Sequence, residues 1–190
     1  MSAEHLILSD LAATLDPKAV MKKHGLHEPE LRALLLRASA LFAPTPDVAD
    51  SLFVINVDGA ARGNPGPAGA GVMIKRDGRM VEGQAQYLGN NVTNNQAEYK
   101  ALILALTRAA ELGAKKVQVY SDSELMVKQV RGEYKVKNAG LAGLYEQACR
   151  LAVDFESFKI DHVRRELNQD ADRLANRAID EFENDKGEDD

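Results

Sequence analysis

Apolar and polar positions alternate from Phe53 to Val57, with Phe53, Ile55 and Val57 on one side and Val54 and Asn56 on the other. This pattern predicts a β-strand with one buried face that ends at Asp58. The small residues from Gly59 to Gly66 predict a turn, and the apolar run Ala68–Ile74 predicts the returning strand of a hairpin. A third strand, "GRMVEGQAQYLG", is entered through an Asp77-Gly78 turn. The period then becomes helical in "TNNQAEYKALILALTRAAELG", with Thr93 or Asn94 as N-cap and Gly113 as the stop. "KKVQVYSDS" reads as a strand closing on Asp122, and "ELMVKQVRG" and "AGLAGLYEQACRLAVDF" as helices flanking the polar "EYKVKN". "FKIDHVRR" supplies a last strand and "NQDADRLANRAIDEF" a last helix. The order β-β-β-α-β-α-α-β-α implies an α/β fold with a mixed five-stranded sheet flanked by helices.

Ahead of this body the pattern is helical throughout. "HLILSDLAATL" and "PELRALLLRASALF" carry apolar residues at helical spacing. Between them Asp16 is placed to cap a short helix that has Pro17 at its first position and Gly25 at its end. The "KKHGLHEPEL" turn is similar to helix-turn-helix punctuation, but a packing or protein-docking role is the stronger reading. The Pro-containing "APTPDVADS" (Ala43–Ser51) reads as a linker. The expected organisation is a small all-α segment over 1–46, the end of the linker over 47–51, a body over 52–180 and an acidic tail over 181–190.

Composition narrows the setting. The chain has 190 residues, is 45% hydrophobic and holds a single cysteine, Cys149. That excludes an internal disulfide framework and fits a reducing compartment. Without a basic N-terminal region or a long apolar run, the sequence argues for a cytoplasmic protein and against a membrane partner. The formal net charge of −5 is uneven, because Asp180–Asp190 hold seven acids against one lysine. The remainder is close to neutral, so charge excludes no class of partner. The acidic tail reads as a solvated, frayed end.

Candidate chemistry lies in the carboxylates. Asp58 and Asp122 both fall at predicted strand ends, where α/β folds build their sites. Glu98 sits in the first turns of the long helix, and Asp170 and Asp172 open the last one. Acids at helix starts meet the helix dipole favourably, which accounts for those three singly. It accounts for neither strand-end aspartate.

"DGAARGNPGPAGAG", "TNNQAEYKALILAL", "SDSELMVKQVRGEYKVKN" and "HVRRELNQDADRLAN" together resemble the successive motifs of type 1 ribonuclease H. The resemblance runs from about Leu52 to Asp180, and is to the bacterial and archaeal form without a basic helical handle. It implies a metal-dependent endonuclease that cuts the RNA strand of RNA–DNA hybrids and leaves 5′-phosphomonoesters. The matching metal-binding and catalytic carboxylates are Asp58, Glu98, Asp122 and, from the "AD-x-LAN" pattern, Asp172; Asp170 falls outside it. Two Mg²⁺ ions, replaceable by Mn²⁺, would be held there, activating a water and stabilising the departing 3′-oxygen.

Further implied substrate contacts are Gly59, Arg62, Asn64, Asn94, Asn95, Ser123, Lys135 and Lys137, with the glycine turn letting backbone approach the RNA. Double-stranded RNA is a further candidate substrate, and residues 1–46 a candidate surface for a protein partner or self-association. Where many relatives carry a mobile-loop histidine, "HVRRELN" is similar to a shortened form. His162 then belongs to the strand, where a packed, peripheral role is expected, and Arg164, Arg165 or Glu166 takes the loop's place. Glu124 stands where some relatives have glutamine. Two alternatives stay open: a structure-specific DNA nuclease of the same fold, and a non-catalytic hybrid-binding domain.

Overall fold

The computed structural model describes residues 3–42 and 51–187. It divides into two compact units, one within 1–45 and one within 46–190. The expected linker lies, except for Ser51, outside the described residues.

The first unit holds three helices: α1 (Ala3–Thr14), α2 (Pro17–His24) and α3 (Glu28–Phe42). Asp16 caps α2 as the sequence predicts: its Oδ1 accepts from the Lys18 and Ala19 N–H groups at 2.9 and 3.1 Å. Gly25 ends the helix at φ 65°, the left-handed region that favours glycine. The apolar faces close on one another, burying Ile7, Val20, Leu31 and Leu34.

The second unit is built on a five-stranded sheet of order β3-β2-β1-β4-β5. Its strands are β1 (Leu52–Ala61), β2 (Gly66–Arg76), β3 (Arg79–Val92), β4 (Lys116–Ser121) and β5 (Ser157–His162). β1, β2 and β3 are antiparallel neighbours, and β4 and β5 join in parallel beside β1. Helices α4 (Asn94–Glu111), α5 (Glu124–Val130), α6 (Ala139–Val153) and α7 (Gln169–Gly187) complete the element order read from the sequence. Thr93 is the N-cap of α4, in a reciprocal capping box with Gln96. The predicted Asp77-Gly78 turn joins β2 to β3 with both residues at positive φ.

Small residues let α4 and α7 lie close on the sheet. Along α4, Ala97, Ala101, Leu102, Ala105, Leu106 and Ala109 are buried at helical spacing. A Cβ at Gly59 would stand 2.1 Å from the Ala97 carbonyl carbon, and one at Gly71 would stand 2.0 Å from the Ala171 carbonyl oxygen. Gly71 pairs with Asp58, the neighbour of Gly59. The two glycines therefore face opposite sides of the sheet, with α4 on one and α7 on the other.

Two sequence expectations need correction. β1 does not stop at Asp58 but runs on to Ala61, because β2 keeps pairing with it as far as Ala61↔Ala68. Gly59 is thus a strand residue whose missing side chain admits a helix. The second concerns the end of the chain, which does not fray at residue 181. α7 continues to Gly187, and Phe182 stacks on Tyr87 with ring centroids 3.7 Å apart at 12°. The acidic residues are borne on this docked helix; 188–190 lie outside the described residues. Among those described, no helix is long and apolar enough to cross a membrane.

Candidate active site

The site forms where β1 outruns its parallel neighbour. The β1–β4 ladder ends at Val57↔Ser121, so Asp58 and Asp122 follow side by side. α4 crosses behind and contributes Glu98 from its second turn. One oxygen from each of Asp58, Glu98 and Asp122 falls within 4.8 Å of the others. Asp58 and Glu98 are each only 6% exposed.

Buried like charges at this spacing resist ionisation together. Burial first, then the charges of Asp122 and Asp172, push the Asp58 carboxyl up to about 7. A hydrogen bond with Asp122 acts in the same direction. Glu98 is raised well above the usual carboxylate range by burial, then by Asp58 and Asp122. The Gly59 N–H, donated to Glu98 Oε2 at 3.2 Å, works against that rise. Such a set suits a hard divalent cation: its donors are all oxygen, and a cation relieves the repulsion that raises Asp58 and Glu98.

Asp172, on the first turn of α7, stands beside the triad and adds to the field on Asp58. Its Oδ1 accepts from the Arg165 guanidinium at 2.6 Å. Asp170 points elsewhere, pairing with Arg173 while half-exposed. Of the three candidates for the loop's place, Arg165 alone is paired with a site carboxylate; its charge also opposes the rise at Asp58 and Glu98. Arg164 and Glu166 are exposed on the same short segment, and Glu166 lines a shallow depression with Arg165, Gln169 and Asp172. His162 ends β5 as expected but is exposed rather than packed.

The other named residues fall into four groups. Asn64 reaches the start of α4, its Oδ1 accepting from the Asn94 N–H at 3.1 Å, which gathers Asn64, Asn94 and Asn95 at one helix end. Ser123 is the N-cap position of α5, directly after Asp122. Lys135 and Lys137 are exposed between α5 and α6. Arg62 already has partners: Asp180 and Glu183 on α7 hold its guanidinium. A phosphate would have to displace them.

Sequence reasoning passed over Asn168 and Asn56. Asn168 is almost fully buried and hydrogen-bonds Asp122, the Val57 carbonyl and Asn56. Its signal, a polar residue opening the last helix four positions before Asp172, looks like any helix cap.

Comparison with known proteins agrees with this geometry. Residues 56–178 match the family model described as reverse transcriptase-like. The bifunctional protein Rv2228c of Mycobacterium tuberculosis is 44% identical over 128 residues, 67% of this chain and 35% of that protein. The chain thus spans about a third of the length of the first curated relatives it matches. Ribonuclease H of Chromobacterium violaceum is 34% identical over 140 residues, 66% of this chain and 92% of that one. Among solved structures, LC11-RNase H1 in complex with an RNA/DNA hybrid superposes with a TM-score of 0.65 at 39% identity, covering 68% of this chain and 98% of that one. With the carboxylate triad, the mixed sheet and these matches in agreement, the chain belongs to the type 1 ribonuclease H family.

Proposed function

We propose that the protein hydrolyses the RNA strand of RNA–DNA hybrids, using divalent metal ions held by Asp58, Glu98 and Asp122 with Asp172 beside them. The observation that carries this reading is the convergence of three buried or half-buried carboxylates within 4.8 Å, in a chain similar to a ribonuclease H1 solved with an RNA/DNA hybrid. Mg²⁺ is the first choice of ion, with Mn²⁺ as substitute. When bound, the ions supply a water nucleophile and charge stabilisation at the leaving oxygen.

The chain's own residues do the rest. Asp58 and Glu98, the two acids that burial and mutual repulsion hold toward the protonated form, would ionise to hold a cation together with Asp122, and the Gly59 N–H orients Glu98. Asn94, Asn95 and Asn64 read the RNA strand through its 2′-hydroxyls, the feature that separates RNA from DNA; their grouping at the start of α4 supports this role. Ser123, Lys135 and Lys137 take flanking phosphates, whereas Gly59, buried against α4 with its N–H given to Glu98, acts through that carboxylate. Arg62 joins them once it exchanges its α7 carboxylates for phosphate. Arg165 holds Asp172 and offers an exposed cation at the departing product. The three-helix unit adds protein docking or self-association rather than chemistry.

The test is a substrate panel in Mg²⁺ and in Mn²⁺: hybrid, double-stranded RNA, double-stranded DNA and branched DNA, each end-labelled. Cuts confined to RNA, fastest in the hybrid, are the expected result. Preferential cutting of branched DNA, or hybrid binding with no cutting in either metal, would replace this reading with a DNA nuclease or a binding domain.

A further inference from the structure

The segment leading from β5 into α7 ends on Asn168, whose side chain is 1% exposed. Both donors of its amide are used, and its oxygen accepts one bond. Nδ2 donates to the Val57 carbonyl at 2.8 Å and to Asp122 Oδ1 at 2.8 Å, while Oδ1 accepts from Asn56 Nδ2 at 3.1 Å. These partners settle which way the amide is turned, since only the NH₂ group can serve two acceptors. The main-chain carbonyl of Asn168 in turn accepts from the Asp172 N–H at 3.1 Å. A single buried residue thus joins the backbone next to Asp58, the carboxylate of Asp122 and the turn that presents Asp172.

We propose that Asn168 is a positioning residue for the metal-binding carboxylates: it holds Asp122 by one oxygen, leaves the other to a cation, and sets the spacing of β1, β4 and α7. The inference rests on the reading of Asp58, Glu98 and Asp122 as a metal-ion site. Acids that repel one another turn apart unless something holds them, and a cation arriving at such a set must first gather them. A buried amide that already fixes Asp122 removes that reorganisation, as groups behind metal ligands do elsewhere. Asparagine fits this place chemically. An aspartate of the same shape would turn acceptors toward the Val57 carbonyl and Asp122 and add a further negative charge. Asn56 offers an internal control, because it touches the amide only at Oδ1 and neither of the two donated bonds.

The experiment compares the full-length protein with Asn168→Ala, Asn168→Ser and Asn56→Ala. Mn²⁺ is titrated into each by calorimetry without nucleic acid, kcat and KM are measured on hybrid across metal concentrations, and stability is followed by urea. Asn168→Ala should raise the metal concentration needed for half-saturation by about 10–100-fold, the range seen when groups behind metal ligands are lost. Its kcat at low metal should fall in step, with KM for hybrid little changed, and excess metal should recover much of the loss. Asn168→Ser, which keeps one donor, should fall between Asn168→Ala and wild type and serves if the alanine variant does not fold. Asn56→Ala should lose stability yet bind metal like wild type. Mn²⁺ affinities equal to wild type in the folded Asn168 variants would overturn the inference. So would an equal loss of affinity in Asn56→Ala. Wild-type protein that binds no Mn²⁺ would instead overturn the reading of the site itself.

Discussion

Without a cation, Asp58 works against the fold that carries it. Its carboxyl titrates at about 7 in the folded chain against 3.8 for the ordinary group. The folded state therefore holds the proton more tightly, and linkage fixes the sign. Stability is full below about pH 4, falls as pH rises, and levels off above about pH 7. A window of about three pH units at 1.36 kcal/mol each makes the difference roughly 4 kcal/mol. Asp58→Asn keeps the shape and removes the charge, and it also relieves Glu98, which is displaced by Asp58. With a chelator present, this variant should be about 2–4 kcal/mol more stable than wild type at pH 8 and nearly equal to it at pH 4. For a chain of this size that is roughly 5–15 °C in melting temperature. Tyrosine emission is a suitable signal: the chain has five tyrosines and no tryptophan, and all five lie in the second unit. Mg²⁺ should reverse the order, since it stabilises the state that binds it. A variant no more stable than wild type at pH 8, or one showing the same gain at pH 4, would refute the reasoning.

Two further outcomes follow from the same geometry. Asp172→Ala should reduce hybrid cleavage by at least about 10²-fold while Asp170→Ala leaves most of it, as Asp172 lies beside the triad and Asp170 pairs with Arg173; initial rates on labelled hybrid separate them. Phe182→Ala should lower stability by about 1 kcal/mol through loss of the stack on Tyr87, read by urea unfolding, whereas neutralising the exposed Asp180 and Glu183 should change it little.

What was legible in the sequence was whatever short-range chemistry dictates. The alternation at Phe53–Val57, an N-cap at Thr93 or Asn94 and the Asp16–Gly25 helix all express local rules; the structure follows them and selects Thr93 as the cap. Asp58 and Asp122 stood out because the helix dipole, which accounts for the other acids, does not reach a strand end, although an aspartate beside glycines is also an ordinary turn residue. The end of β1 was misplaced because glycine and alanine read as turn, whereas at Gly59 and Gly71 they are small so that α4 and α7 can approach. That requirement comes from helices far along the chain. Phe182 in an acidic run looked like part of a frayed end; its partner Tyr87 is on β3. Asn168 was invisible for the same reason, since its hydrogen bonds join β1, β4 and α7 only once the sheet has formed.

The most direct test of the central claim is hybrid cleavage by wild type and Asp122→Asn, measured as single-turnover rates across Mg²⁺ concentration with a chelator as the zero point. Wild type should be silent in chelator and active with metal. Asp122→Asn should bind hybrid but cut roughly 10³-fold or more slowly, because a metal-ion ligand is worth several kcal/mol at the transition state. Cleavage that persists in chelator, or an Asp122→Asn rate near wild type, would contradict the assignment of the carboxylate cluster as the catalytic metal site.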